Sequence, residues 1–172
     1  MTKDELDKLL VRASNYTARY EKSSKEVSEK LYKWSEGAIS QDEQEWVIEE
    51  LKKDKFIDEV RFTERFIRDK MVSYRKGPIM IRRELFMKGI PQNLIEDELS
   101  KIDDEEWVNN LRDYLMARFD KQRKKAKNKY DLKMRLGQLA YTRGYLREHS
   151  DPVIEEMIKD VEGLNDDEYW YD

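Results

Sequence analysis

The stretch Val47-Ile-Glu-Glu-Leu51 recurs twice in the chain, as Ile95-Glu-Asp-Glu-Leu99 and as Val153-Ile-Glu-Glu-Met157. In each copy, apolar residues four positions apart flank acidic ones, which places the apolar residues on one face of a helix. A helix that ends near a glycine precedes each copy, and an aromatic-bearing helix precedes that one. Self-similar helices at a period of about 50 residues indicate an array whose units bury their apolar faces against one another. We therefore predict an all-α fold of three tandem three-helix repeats.

The repeats divide the chain into four parts. We assign residues 1–57 to a first repeat with an N-terminal extension, residues 58–102 to a second, central repeat and residues 103–162 to a third. Residues 163–172 form an acidic C-terminal tail. An acidic terminus of this kind is either disordered or docked on a basic surface through its three aromatic residues.

Capping residues mark the predicted helix ends. Ser23 with Glu26, and Ser40 with Glu43, have the spacing of a capping box, in which a hydroxyl and a carboxylate bind the free amides of the first turn. Proline is favoured in the first turn of a helix because it has no N–H to satisfy there. The prolines in such positions are Pro78, Pro91 and Pro152. The glycines expected to end helices are Gly37, Gly89 and Gly144.

Composition narrows the class of protein. Of the 172 residues, 42% are charged, 38% are hydrophobic and 11% are aromatic, with only six glycines and three prolines. Few breakers and many charged helix formers favour helices, whereas the aromatic content argues against a disordered chain. The absence of cysteine excludes disulfides and zinc–cysteine sites. The start of the sequence is acidic and no long apolar run follows, so we expect a soluble, cytoplasmic protein without a membrane span.

Charge is strongly segregated along the chain despite a net charge of only −4. Residues 61–88 carry nine basic side chains against three acidic ones, and residues 112–147 carry twelve against three. Residues 91–110 between them carry seven acidic side chains and one lysine. Such segregation favours an acidic or nucleic-acid partner for the basic segments. The alternative is that these charges simply solvate the outer faces of helices.

Three motifs resemble those of the RecX family, bacterial modulators of the RecA recombinase. The central one is Arg75-Lys-Gly-Pro-Ile-Met-Ile-Arg-Arg-Glu-Leu-Phe-Met-Lys-Gly-Ile-Pro91. Phe56-Ile-Asp-Glu-Val-Arg-Phe-Thr-Glu-Arg-Phe-Ile67 precedes it, and Tyr141-Thr-Arg-Gly-Tyr-Leu146 follows in the third repeat. The sequence departs from the family pattern at Lys55, where the family usually has glycine, and in its acidic net charge.

The resemblance implies a function as well as a fold. The repeats would form an elongated, curved array that binds in the groove of the RecA–DNA filament, bridges adjacent protomers and inhibits ATP hydrolysis, strand exchange and the co-protease activity. Such a protein acts in DNA repair and recombination and in the SOS response. It would be a monomeric, non-enzymatic regulator without a cofactor, and its contact with single- or double-stranded DNA would be weak or dependent on the filament. The alternatives are a helical-repeat protein that binds nucleic acid directly and a pure protein-interaction scaffold.

The basic segments supply the candidate partner-binding residues. Arg61, Arg65 and Arg68 are spaced to form one stripe on a helix, and guanidinium groups bind phosphates and carboxylates in bidentate fashion. A second group surrounds the turn at Gly77: Arg75, Lys76, Arg82, Arg83 and Lys88. Arg143 belongs to the third motif. For each of them the alternative is a solvated face or a structural ion pair.

The densest basic run joins two predicted helices. Its cations are Lys121, Arg123, Lys124, Lys125, Lys127 and Lys129. We interpret this run as either a mobile electrostatic arm for phosphates or a flexible lysine loop kept for solubility. The neighbouring Tyr130 and Tyr141 would either stack on bases or belong to the core.

No constellation of catalytic residues is evident. The clustered glutamates recur once per repeat on polar faces, as solvated side chains do, and catalysis would require them to converge in a pocket. The single histidine, His149, precedes the predicted helix start at Pro152 and is expected to be a surface or capping residue.

Overall fold

The computed structural model describes residues 1–166, and residues 167–172 lie outside that part. The described chain forms nine α-helices and no strand, which confirms the all-α prediction. The helices are α1 (Lys3–Arg19), α2 (Ser24–Trp34), α3 (Gln41–Lys53), α4 (Glu59–Val72), α5 (Pro78–Met87), α6 (Gln92–Leu99), α7 (Asp104–Lys125), α8 (Lys129–Thr142) and α9 (Arg147–Ile158). None of these helices has both the length and the apolar character needed to cross a bilayer.

The predicted helix ends are largely confirmed. Ser23 and Ser40 form capping boxes with the glutamates three residues on. Thr2 and Asp103 do the same at the starts of α1 and α7. Helix α5 begins at Pro78. The glycines that follow α2, α5 and α8 have positive φ values, as expected of residues that end a helix.

The predicted start of α9 is wrong. The helix begins at Arg147 rather than at Pro152, which lies inside it and removes one main-chain hydrogen bond. His149 and Ser150, in the first turns, are only 4% and 5% exposed, so the expectation of a surface histidine is wrong as well. The Nε2 atom of His149 lies 3.0 Å from Oδ1 of Asp104. Burial of these side chains extends the helix toward its N-terminus, and local capping signals do not report such burial.

The described chain divides into two compact units, and α4 and α5 each contribute residues to both. The first unit contains Met1–Phe66 and Leu85–Glu98. Its core joins the inner faces of α1, α2 and α3, whose apolar residues recur at helical spacing. The buried side chains are Leu9, Ala13, Val27, Leu31, Ile39, Val47, Ile48, Leu51 and Ile57. The ring of Trp34 packs against this core. It lies edge-on to the ring of Tyr16, with 5.5 Å between the two ring centroids.

The second unit contains Ile67–Glu84 and the chain from Leu99 onward. Helices α7, α8 and α9 pack on one another in this unit. The predicted apolar stripes of α7 and α8 form its core and are confirmed by their burial. The core residues on these helices are Trp107, Leu111, Tyr114, Leu115, Leu132, Leu136, Ala140, Val153 and Ile154.

Candidate binding surface

In the second unit, the central motif packs directly on the third motif. The Gly77 N–H donates to the carbonyl oxygen of Arg143, and the Ile79 N–H donates to that of Gly144, both at 2.9 Å. A Cβ atom on Gly77 would overlap the Gly144 carbonyl group, and one on Gly144 would lie 2.6 Å from Met80 Cβ. The two glycines therefore allow the backbone at the start of α5 to touch the backbone at the end of α8. Gly77 and Gly144 therefore have a structural role, because they allow α5 and α8 to pack closely.

A buried polar network fixes Arg75 beside this contact. The Tyr145 hydroxyl donates to the Arg75 carbonyl oxygen at 2.9 Å and accepts from Asn110 Nδ2 at 2.6 Å. The Arg75 guanidinium donates to Asn110 Oδ1 at 3.0 Å and lies 3.3 Å from the Asp113 carboxylate. Burial raises the pKa of Tyr145, and the hydrogen bond from Asn110 opposes that rise only in part. Arg75 is therefore engaged within the protein.

Arg143 and Lys76 have internal partners as well. Arg143 Nη2 donates to the Tyr74 carbonyl oxygen, and the guanidinium lies 5.2 Å from the centroid of the Tyr114 ring. Lys76 pairs with Glu84 and also lies over the Tyr74 ring, with only 15% of its side chain exposed. The structure thus brings together three predicted site residues, but each binds a group of this chain.

The arginines of the predicted stripe on α4 are paired with acidic side chains of this chain. Arg61 Nε lies 3.0 Å from both carboxylate oxygens of Glu21, and Arg65 Nη1 lies 3.1 Å from one of them, in the first unit. In the second unit, Arg68 binds Glu106 at 2.9 Å, and this hydrogen bond holds the pKa of Glu106 below its usual value.

Lys88, in the first unit, is paired in the same way. Its Nζ atom lies 2.7 Å from Glu26 Oε1. Burial of Glu26 opposes ionisation, but the hydrogen bonds from Lys88 and from the Ser23 amide outweigh it and lower the pKa of this carboxyl group. Lys88 therefore stabilises the start of α2 from outside that helix.

The dense basic run is mostly helical, so the prediction of a flexible loop is wrong. Residues 121–125 form the last turns of α7, and only residues 126–128 join α7 to α8. Lysine, arginine and glutamine are good helix formers, and cations are favourable at a helix C-terminus, where the carbonyl groups point outward. The run therefore continues the helix instead of interrupting it.

Two cations of this run bind the segment that follows α9. Arg123 Nη2 donates to the Glu162 carbonyl oxygen at 2.7 Å, and Lys129 Nζ lies 2.9 Å from Asp166 Oδ1. The remaining cations of the run are exposed and form no ion pair with the described residues: Lys121, Lys124, Lys125 and Lys127.

Arg82 and Arg83 lie on the part of α5 that belongs to the second unit. Arg82 is half-buried, whereas Arg83 is exposed and has no ion-pair partner within residues 1–166. Among the predicted site residues, the basic groups available to an external partner are therefore the exposed lysines at the end of α7 and Arg83 on α5.

Sequence reasoning missed the acidic partners and Asn110. The carboxylates that pair with Arg61, Arg68 and Lys88 lie about 40 to 60 positions away in sequence, so no local spacing relates them. Asn110 did leave a signal, because it is a polar residue within the buried stripe that contains Trp107, Leu111 and Tyr114. A polar residue in such a position requires internal partners when it is buried.

The segment that contains the central motif also matches known proteins. Residues 58–99 match the family model described as RecX, second three-helix domain. The regulatory protein RecX of Clostridium acetobutylicum is 27% identical over 151 residues, which cover 87% of this chain and 68% of that protein. RecX of Lactobacillus delbrueckii subsp. bulgaricus is 27% identical over 155 residues, covering 88% and 55%, respectively. RecX of Oceanobacillus iheyensis is 35% identical over 104 residues, covering 60% and 37%. The chain thus spans about half the length of several relatives that it matches.

Solved structures share the fold. The crystal structure of RecX from Lactobacillus salivarius has a TM-score of 0.80 to this chain, with 24% sequence identity, and covers 91% of this chain and 98% of that one. A second crystal structure, of a regulatory protein RecX, has a TM-score of 0.76 at 22% identity and covers 92% and 74%. At these identities the similarity concerns the fold alone.

Proposed function

Because this chain belongs to the RecX family, we propose that it binds the RecA–DNA filament and inhibits RecA without catalysing a reaction itself. The RecA activities inhibited would be ATP hydrolysis, strand exchange and the co-protease activity. The protein would thereby act in DNA repair, in recombination and in the SOS response. A RecA partner places the protein in the cytoplasm. The chain would act as a monomer.

The observation that supports this proposal is the exposed basic surface at the end of α7. Lys121, Lys124, Lys125 and Lys127 have no ion pair with the described residues, so they need not break an internal contact to meet a partner. A RecA–DNA filament offers phosphate groups and carboxylates, both of which attract lysine. Arg83 on α5 would add a bidentate donor.

The internally paired cations contribute less to this surface. Arg75, Lys76 and Arg143 remain candidates, but their substitution would disturb the contact between the two motifs. A loss of inhibition in such variants would therefore report a damaged fold as readily as a lost contact.

The test is the ATPase activity of RecA on single-stranded DNA, with and without this protein, at two salt concentrations. We expect the unaltered chain to inhibit, and K124E/K125E and R83E to inhibit less. The control is K3E/K33E, which reverses two exposed lysines on α1 and α2 that have no ion pair within residues 1–166. All variants should melt at similar temperatures, because exposed charges change stability by only about 0.5 kcal/mol each. Equal inhibition by K124E/K125E, R83E and the control would exclude this surface as the binding site.

Direct binding of nucleic acid is the second candidate, and the same unpaired lysines favour it. Its test uses naked single-stranded DNA without RecA, and the affinity is measured against salt. If two lysines each contact a phosphate, K124E/K125E should reduce the slope of log affinity against log salt by about 1.4. If the unaltered chain shows no salt-dependent affinity for naked DNA, a protein surface of the filament remains the partner.

A further inference from the structure

Two tyrosines lie on the solvent-facing side of α8, opposite the buried Leu132 and Leu136. Tyr130 is 42% exposed and Tyr141 is 73% exposed, and no large apolar or aromatic side chain within residues 1–166 is more exposed than Tyr141. The two positions are about three helical turns apart, so both lie on the same side of α8, separated by about 16 Å along its axis. Neither ring forms an aromatic or cation–π contact within residues 1–166. The alternative that these tyrosines belong to the core is therefore wrong, and both rings are available to a partner.

Three grooves follow one another along this side of α8. The first, of about 360 Å³, is lined by Lys129, Tyr130 and Lys133 among others. The second, of about 290 Å³, is lined by Lys133, Tyr141 and further residues of α8 and α9. The third, of about 270 Å³, is lined by Tyr141 and by Arg83 of α5. Because Lys133 lines the first two grooves and Tyr141 lines the last two, the grooves form one continuous track within the second unit.

The track joins the exposed lysines at the end of α7 to Arg83 on α5. Its first groove begins at Lys129, the last cation of the dense basic run, and its third groove ends at Arg83. Between them, Lys133 and Arg147 line the second groove. Basic groups therefore lie at both ends of the track and also between the two exposed tyrosines.

The carboxylates that border the track each pair with one of its cations. The three pairs are Asp166 with Lys129 at 2.9 Å, Glu155 with Lys133 at 3.9 Å and Asp151 with Arg147 at 3.5 Å. Two further cations of the lining, Lys159 in the first groove and Arg83 in the third, have no ion-pair partner within residues 1–166. The track therefore retains a positive charge, which suits a polyanion.

We propose that a single-stranded nucleic acid binds along the outer face of α8, with one base stacked on Tyr130 and another on Tyr141. Its phosphates meet the lysines at the end of α7 on one side and Arg83 on the other. Proteins bind single strands with a positively charged groove and exposed aromatic rings, because every base has a face that stacks and every nucleotide carries a phosphate. This proposal rests on the second candidate function, direct binding of nucleic acid, and adds to it the preference for a single strand and the two stacking residues.

The order of groups along the track favours a single strand over a duplex and over an acidic peptide. Cations and rings alternate, from the lysines at the end of α7 through Tyr130, Lys133 and Tyr141 to Arg83. A single strand offers a phosphate and a planar base with each nucleotide, so it matches both kinds of group along its length. In a duplex the faces of the bases are already stacked on one another. An acidic peptide would neutralise the cations but would leave the two rings without planar partners.

Replacement of Tyr141 in the full chain tests the stacking contact. The probes are an oligothymidylate of about 16 nucleotides, an abasic strand of the same length and the duplex that the oligothymidylate forms with its complement. Loss of one stacked base weakens binding by about 5- to 150-fold. We expect that loss for Y141S on the oligothymidylate and no loss for Y141F, which keeps the ring. On the abasic strand Y141S and the unaltered chain should bind equally, and the unaltered chain should bind the single strand more tightly than the duplex.

A second variant, R83Q, separates the phosphate contact from stacking. It should reduce the slope of log affinity against log salt by about 0.7, whereas Y141S should leave that slope unchanged. The matched control is Y32S, which removes a tyrosine that is 58% exposed on α2, in the first unit, and should bind the oligothymidylate as the unaltered chain does. The replaced side chains are exposed, so the melting temperatures should be similar.

Equal affinities of Y141S and the unaltered chain for the oligothymidylate would overturn the proposal. So would an equal loss of affinity on the abasic strand, or tighter binding of the duplex. Failure of the unaltered chain to bind any naked strand would overturn it as well and would leave a protein surface as the partner of this face. The RecA ATPase assay with the unaltered chain reports inhibition separately, so a failure of this proposal is distinguishable from a failure of the proposed function.

Discussion

Lys55 has a φ value of +56°, in the left-handed region that glycine adopts without steric strain. It follows α3 in a Schellman arrangement, because its N–H donates to the Lys52 carbonyl oxygen at 3.0 Å and the Phe56 N–H donates to that of Leu51 at 2.9 Å. The side chain is exposed and gains no packing in return. The position at which the sequence departs from the motif that it resembles is thus a left-handed helix end.

We expect K55G to stabilise the protein by about 0.5–1 kcal/mol. Relief of the left-handed strain is worth about 1–2 kcal/mol, and the added freedom of the unfolded chain offsets part of it. Urea denaturation should show a higher midpoint with an unchanged slope. K55A is the control, since it removes the same charge but keeps the strain. If both variants unfold at the same midpoint, the strain contributes nothing.

At the scale of helices, the glycine that precedes α5 and the glycine in the middle of α8 have opposite roles. A side chain on Gly77 would overlap the Gly144 carbonyl group, so G77A must push α5 away from the end of α8. A Cβ atom on Gly137, in contrast, would meet nothing within 4 Å. The absence of a side chain is therefore required at Gly77 and not at Gly137.

We expect G77A to destabilise the protein by about 1–3 kcal/mol, as overpacking does, and G137A to stabilise it by about 0.5–1 kcal/mol through helix propensity. Both variants add one methyl group, so each is the control for the other. Thermal unfolding should move in opposite directions for the two. A similar shift for both would contradict the close backbone contact.

Helix ends were predictable where the signal is local. Ser23 and Ser40 bind amides three residues away, so their spacing is sufficient to predict a helix start. The start of α9 was not predictable, because it depends on the burial of His149 against residues of another helix. The prediction of a loop for the basic run at the end of α7 is wrong for a different reason. A cluster of like charges suggested a loop, whereas helix propensity and the outward-pointing carbonyl groups favour a helix.

At the scale of the molecule, the sequence reveals the segregation of charge but not which of the basic side chains pair with acidic side chains of the same chain. Arg61, Arg65 and Arg68 form the predicted stripe, yet Glu21 and Glu106 pair with it. Which cations remain available depends on contacts between residues far apart in the chain. The candidate surface could therefore be predicted as a charge pattern and not as a set of residues.

The division into three repeats rests on similarity between segments of the sequence and not on the compactness of the folded chain. The structure groups the helices into two compact units, and α4 and α5 contribute to both. A boundary at residue 58 or 103 therefore separates similar sequences without separating compact bodies. The three-repeat division stays a prediction, although the family model for a three-helix domain covers residues 58–99.

The two compact units predict how damage to one core spreads. Leu136 in the second unit and Leu31 in the first are both fully buried, so replacement by alanine should cost about 2–5 kcal/mol in either case. Because each leucine contacts the core of its own unit, local opening should increase there first. Hydrogen exchange of L136A should lose protection in α7–α9 before α1–α3, and L31A should show the reverse order. The two leucines are matched in type and burial, so the difference between the variants isolates location. Equal loss of protection along the whole chain in both variants would mean that the described helices open as one cooperative body.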